Sequence, residues 1–107
     1  MSKFTLHDLE KRVHERAKAG ADVSYTRSLL DKGVAHCAKK LGEEAIETGI
    51  AAVQGDKGRV IAEAADLLYH LLVVLEARGI KLAQVEAALA KRTAQSGHQE
   101  KASRRKK

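Results

Sequence analysis

A chain of 107 residues is the size of one compact domain, and its 44% apolar content can build a core, an aliphatic one because only three residues are aromatic. Proline is absent while Ala, Leu, Lys and Glu abound, a composition that favours helices. The net charge of +6 is concentrated in a C-terminal run of Lys101, Arg104, Arg105, Lys106 and Lys107; the preceding hundred residues are near neutral, which speaks against a nucleic-acid-binding body.

Glycines punctuate five helical segments. Thr5, with Asp8 three residues on, is placed to cap a first helix over residues 6–18. Its apolar stripe is Leu6, Leu9, Val13 and Ala17, and Gly20 is its expected stop. Ser24 or Thr26 starts a short second helix over 25–32, closed by Gly33. The third, over 34–54, carries two stripes, Val34–Cys37–Leu41–Ala45 and Ile46–Ile50–Val53, as expected of a helix buried on two sides. Gly42 and Gly49 inside it each cost about 1 kcal/mol relative to alanine; they permit close packing or ligand approach, or are tolerated weak points. Gly55 and Gly58 bracket a tight turn into a fourth helix, from 57 or 59 to 78, which Gly79 stops. The fifth covers 82–95 with Val85 and Leu89 inward, and Ser96-Gly97 ends it.

No alternating β pattern and no repeat interrupts this series. Short connections make consecutive helices antiparallel, so the expected fold is all-α, a four- to five-helix bundle over residues 1–95 followed by a basic tail over 96–107. The third and fourth helices are too apolar for the short helices to cover, which predicts burial against a second copy of the chain, a homodimer. The single cysteine, Cys37, forms no internal disulfide and reads as a packing residue in a reducing compartment. The N-terminus is charged, without a signal core, and no window approaches the roughly 18 apolar residues of a membrane span. A cytoplasmic protein with no membrane partner is the expectation.

The chemistry concentrates in the two long helices. The stretch from Val60 to Leu75 holds only two charges, Glu63 and Asp66. Carboxylates at i and i+3 share one helix face with Cβ atoms about 5–6 Å apart, and there they repel each other unless a cation lies against them. The preceding helix repeats the spacing at Glu44 and Glu47, beside Glu43. Glu47 lies eight residues before Gly55 and Glu63 eight residues after it, so an antiparallel hairpin turning near Gly55 sets the two pairs at one height. Four carboxylates at one level make an oxygen-only site suited to Mg²⁺, with Mn²⁺ also accommodated, and Mg²⁺ keeps positions open for phosphate oxygens. Two ions about 3.5–4 Å apart are a further arrangement for such a site. A di-iron centre is disfavoured because neither pair contains Glu-x-x-His. His70, one turn past Asp66, and Tyr69 beside it are substrate or supporting contacts, or interior packing residues.

Further segments complete a pattern: Ser24-Tyr25-Thr26; Lys40 with Gly42-Glu43-Glu44-Ala45-x-Glu47; Glu63-Ala64-Ala65-Asp66-Leu67-Leu68-Tyr69-His70-Leu71-Leu72-Val73; and Arg92, Ser96-Gly97 and Glu100-Lys101. On these, from about residue 6 to 104, the chain closely resembles the phosphoribosyl-ATP pyrophosphohydrolase family of histidine biosynthesis. The two acidic pairs alone resemble the wider all-α nucleotide pyrophosphatase superfamily, without choosing a substrate. The family resemblance implies a Mg²⁺-dependent homodimer that hydrolyses phosphoribosyl-ATP to phosphoribosyl-AMP and pyrophosphate, the second step of the pathway. Relatives are often fused to the cyclohydrolase of the next step, which a chain of this length is not expected to carry. By the same resemblance Glu44, Glu47, Glu63 and Asp66 hold the metal, and Glu43 and Glu44 are the catalytic carboxylates, Glu43 orienting or deprotonating water or binding a second ion. Lys40, Tyr69, His70, Arg92, Ser96, Gly97, Lys101 and Arg104 are candidate substrate contacts. His36, Cys37 and the final Arg105-Lys106-Lys107 depart from the pattern, away from the acidic pairs. Two other functions compete: a house-cleaning nucleoside triphosphate pyrophosphatase, and a helical dimerisation module whose basic tail binds nucleic acid.

Overall fold

The computed structural model describes residues 3–94, and within them the chain forms five α-helices: α1 (Leu6–Arg16), α2 (Tyr25–Asp31), α3 (Val34–Gln54), α4 (Lys57–Ala77) and α5 (Leu82–Thr93). The expected all-α class holds, and the described residues contain no strand.

Local chemistry sets the helix ends. The Thr5 hydroxyl accepts the Asp8 N–H at 3.2 Å while the Asp8 carboxylate accepts the Thr5 N–H at 2.9 Å, a complete capping box. α1 ends at Arg16, earlier than the expected residue 18, because the chain tightens there: the N–H groups of Lys18 and Ala19 donate to the carbonyls of Glu15 and Arg16, three residues back. Ser24, rather than Thr26, caps α2. Its hydroxyl accepts the Arg27 N–H at 3.1 Å and donates to the Arg16 carbonyl at 2.9 Å, so one side chain starts α2 and fastens it to the end of α1.

The turn between the long helices takes only two residues. Gly55, at φ +75°, donates to the Ala52 carbonyl and Asp56 donates to that of Ala51, the paired bonds that close a helix through a left-handed residue. Asp56 then accepts the Arg59 N–H at 3.1 Å and begins α4. Gly58 lies inside α4 rather than bracketing the turn.

The core gathers at one end of the α3–α4 hairpin. Val13, Leu29, Cys37, Leu72, Val73 and Leu82 interlock there, drawing on all five helices. Cys37 is a packing residue as expected, fully buried, with its thiol donating to the Leu29 carbonyl at 3.3 Å. Two histidine–glutamate pairs help hold the periphery: His14 meets Glu76 of α4 at 3.1 Å and His7 meets Glu86 of α5 at 2.8 Å. Between them Glu10 accepts the Leu82 N–H at 2.6 Å.

The other end of the hairpin is bare. Ile46, Val53 and Ile61 are 66%, 90% and 71% exposed, and Ile50 is exposed beside them. The Ile46–Ile50–Val53 stripe, expected to be buried, is uncovered within one chain. Leu6 and Leu89, read as inward, are exposed as well. A Cβ added at Gly42 or Gly49 meets nothing within 4 Å among the described residues, so neither glycine serves close packing among them. Among the described residues no helix is long and apolar enough to cross a membrane.

Candidate active site

Glu44 projects from α3 and Glu63 and Asp66 from α4, and the hairpin brings these three of the four expected carboxylates together. One carboxylate oxygen from each lies within 4.8 Å of the others. Glu44 and Glu63 are half-buried and Asp66 is exposed. Partial burial, followed by the charge of Glu44, a hydrogen bond shared with it and the charges of Glu47 and Asp66, pushes the Glu63 carboxyl above its ordinary value. Among the described residues no basic side chain comes within ion-pair distance of the three. The nearby cations are engaged elsewhere: Lys40 with Glu43 at 3.1 Å, and Arg59 with Glu47 at 3.6 Å and with the Gln54 side chain at 2.6 Å.

Glu47 therefore stands outside the tight group, drawn toward Arg59, while its charge still acts on Glu63. Glu43 faces Lys40. That pairing lowers the Glu43 carboxyl below its ordinary value and raises the Lys40 ammonium above its own. The Lys40 charge also acts on His70, and Tyr25 and Glu44 add to the rise at Lys40.

Tyr69 and His70 follow Asp66 by three and four residues, so both lie about one helical turn beyond it. The Tyr69 and Thr26 hydroxyls share a 2.6 Å hydrogen bond that pins α2 to α4. Tyr25 lies parallel to Tyr69, their centroids 6.3 Å apart, and the His70 ring stands edge-on to both, at 5.0 Å from Tyr69 and 6.4 Å from Tyr25. Burial lowers the His70 pKa, Lys40 lowers it further, and Asp66 and Glu43 oppose them. Its Nδ1 is buried without a hydrogen-bond partner among the described residues. The partners of Tyr69 on α2 were not evident from spacing, because Thr26 and Tyr69 are 43 residues apart; the one signal was that Ser24-Tyr25-Thr26 and Tyr69-His70 belong to the same pattern.

Of the remaining expected contacts, Arg92 is exposed in the last turn of α5, with no ion pair or hydrogen bond to the acidic group. Ser96, Gly97, Lys101 and Arg104 lie outside the described residues.

Five helices with carboxylates gathered across their long antiparallel pair match the architecture expected of the all-α nucleotide pyrophosphatases. The phosphoribosyl-ATP pyrophosphohydrolase family model matches residues 6–93, and the chain belongs to that family. A phosphoribosyl-ATP pyrophosphatase 1 of Bradyrhizobium diazoefficiens is 65% identical over 98% of this chain and 99% of its own length. That of Rhodopseudomonas palustris is 59% identical over 99% of each. The phosphoribosyl-ATP pyrophosphatase of Azorhizobium caulinodans is 62% identical over 97% of this chain and 95% of its own.

Proposed function

We propose that this chain hydrolyses phosphoribosyl-ATP to phosphoribosyl-AMP and pyrophosphate, the second step of histidine biosynthesis, at the carboxylate group of the α3–α4 hairpin. The observation that carries the site is the convergence of Glu44, Glu63 and Asp66 within 4.8 Å with no basic residue among them. An oxygen-only donor set in which partial burial and then the neighbouring carboxylates raise the Glu63 pKa fits a hard divalent cation, Mg²⁺ or in its place Mn²⁺. Glu44, Glu63 and Asp66 are its ligands, and Glu47 is a fourth once it leaves Arg59. Bound there, the cation supplies neutralisation of phosphate charge and a lowered pKa for bound water.

The chain's own groups do the rest. Glu43, held ionised by Lys40, orients or deprotonates the water that attacks the α-phosphorus as pyrophosphate leaves. Lys40 turns to the departing phosphates. Tyr69 and His70 wall the nucleotide side of the site. Arg92, Ser96, Gly97, Lys101 and Arg104 are further substrate contacts in this reading. The catalytic domain is residues 1–95, the working unit is a homodimer and its compartment is the cytoplasm.

Pyrophosphate release tested on phosphoribosyl-ATP beside ordinary nucleoside triphosphates, with and without Mg²⁺, decides the reading. Release from phosphoribosyl-ATP alone, abolished by chelation, is the expected result. Equal turnover of ordinary triphosphates would replace the substrate assignment, and release indifferent to chelation would remove the metal.

A further inference from the structure

Beside the acidic group, the two tyrosines line a second feature. A concavity of about 410 Å³ opens between the end of α1 and the start of α2, bounded by Arg16, Val23, Ser24, Tyr25, Thr26 and Tyr69 among others. Its walls are aromatic and aliphatic, its charge is the Arg16 guanidinium, and no carboxylate lines it. Other concavities with basic side chains carry their own counter-charges: Glu10 and Glu76 accompany Lys81, and Asp8 and Glu15 accompany Lys3, Lys11 and Arg12. Among the described residues the Arg16 guanidinium makes no ion pair. Its charge acts on the Tyr69 hydroxyl.

The position is rigidly built. Ser24 fastens α2 to the Arg16 carbonyl, Arg27 donates to the Ala17 carbonyl at 3.1 Å, and Thr26 pins Tyr69. Tyr25 is nonetheless 59% exposed, an aromatic face left open in a chain with only two other aromatic residues. An unpaired guanidinium beside a fixed open aromatic face is the recognition chemistry of a phosphate joined to a base.

Resting on the proposed reaction, we infer that Arg16 binds the terminal phosphate of the substrate's N1-phosphoribosyl arm, with the purine against Tyr25 and Tyr69. The covalent layout of the substrate dictates this order. The triphosphate leaves the purine through its N9 ribose and the phosphoribosyl arm leaves from N1, on the far side of the ring system. With the reacting phosphorus at Glu44, Glu63 and Asp66, the base falls on the tyrosines one turn along α4, and the arm continues past them to Arg16. Arg16 is then the residue that separates phosphoribosyl-ATP from ATP, a discrimination the carboxylates cannot make because both substrates present the same triphosphate.

The test compares phosphoribosyl-ATP with N1-ribosyl-ATP, which lacks only the arm's phosphate, in wild type, Arg16→Gln and Arg16→Lys. Arg16→Gln is expected to lower kcat/KM for phosphoribosyl-ATP roughly 10- to 100-fold, mainly through KM, and to leave N1-ribosyl-ATP unchanged. Arg16→Lys recovers part of the loss. Metal-free calorimetry with phosphoribosyl-AMP is expected to show the same loss of affinity in Arg16→Gln. Equal losses on both substrates, or no loss on either, would overturn the assignment. If wild type releases no pyrophosphate from phosphoribosyl-ATP, the reaction is wrong; calorimetry then stands alone, a loss of phosphoribosyl-AMP affinity in Arg16→Gln supporting the phosphate site and an unchanged affinity refuting it.

Discussion

Asp66 and Glu63 sit on one turn of α4 in a stretch otherwise free of charge, and their surroundings give each a separate consequence. Asp66 is exposed and contributes an oxygen to the group without any basic partner. Asp66→Asn keeps the shape and removes the charge, so Mg²⁺-dependent pyrophosphate release should fall more than about 100-fold, beyond the roughly 10–100-fold that an outer partner of a metal ligand contributes. The helical circular-dichroism signal should be retained; near-normal activity would remove the metal assignment. His70 gives a pH dependence. Burial holds its pKa below the ordinary value of 6.5, so the unfolded chain takes up a proton before the folded one does. A depressed pKa gives stability that is complete above the unfolded value and is lost as pH falls through the folded value. The charged groups facing the ring divide: Lys40 reinforces the shift, Asp66 and Glu43 oppose it. The melting temperature of wild type should therefore decline on acidification from about pH 7 to about pH 5 more steeply than that of His70→Phe, which has no proton to gain and leaves no Nδ1 unpartnered. Parallel slopes for the two proteins would remove His70 from the acid response.

At the scale of elements, periodicity and punctuation were enough wherever the deciding interaction was local. The Thr5–Asp8 box and the glycine turn at Gly55 involve near neighbours in sequence, and both appear in the fold; of the acidic pairs set about that turn, three carboxylates converge. Competition among partners was not legible. Glu47 has the same spacing from Glu44 as Asp66 has from Glu63, yet Arg59, carried into reach by the turn, draws it aside. Pairings between distant elements, Thr26 with Tyr69, His7 with Glu86 and His14 with Glu76, join residues 43 to 79 positions apart and leave no local trace. The internal glycines of α3 show how packing resolves what sequence leaves open. Gly42 faces open space in the protomer, so Gly42→Ala gains helix propensity without a clash, about 0.5–1 kcal/mol of stability. Thermal unfolding should then move upward by a few degrees, on the order of 4 °C. A fall in melting temperature would mean that a partner outside the protomer occupies that space.

At the scale of the whole molecule, the core is lopsided. Side chains from all five helices meet at one end of the hairpin, while Ile46, Ile50, Val53 and Ile61 stand uncovered toward the other. Scattered apolar residues on a surface are ordinary, but these lie on two adjacent antiparallel helices near their common turn, and Ile46, Gly49, Ile50 and Val53 line one shallow apolar concavity. The proposed homodimer buries this face. Gly49, where an added Cβ meets nothing within 4 Å among the described residues, then lets the partner helix approach. Because the side chains are exposed in the protomer, charging them should change its own stability by no more than about 0.5 kcal/mol, and the effect falls on association. Ile46→Glu combined with Val53→Lys should therefore sediment as a monomer at concentrations where wild type sediments as a dimer, with its helical signal intact. Gly49→Ala should weaken the dimer by setting a methyl group against the partner even as it favours the helix. A wild-type protein that stays monomeric across the concentration range would overturn the assembly, and would leave the open hairpin face in need of a different partner.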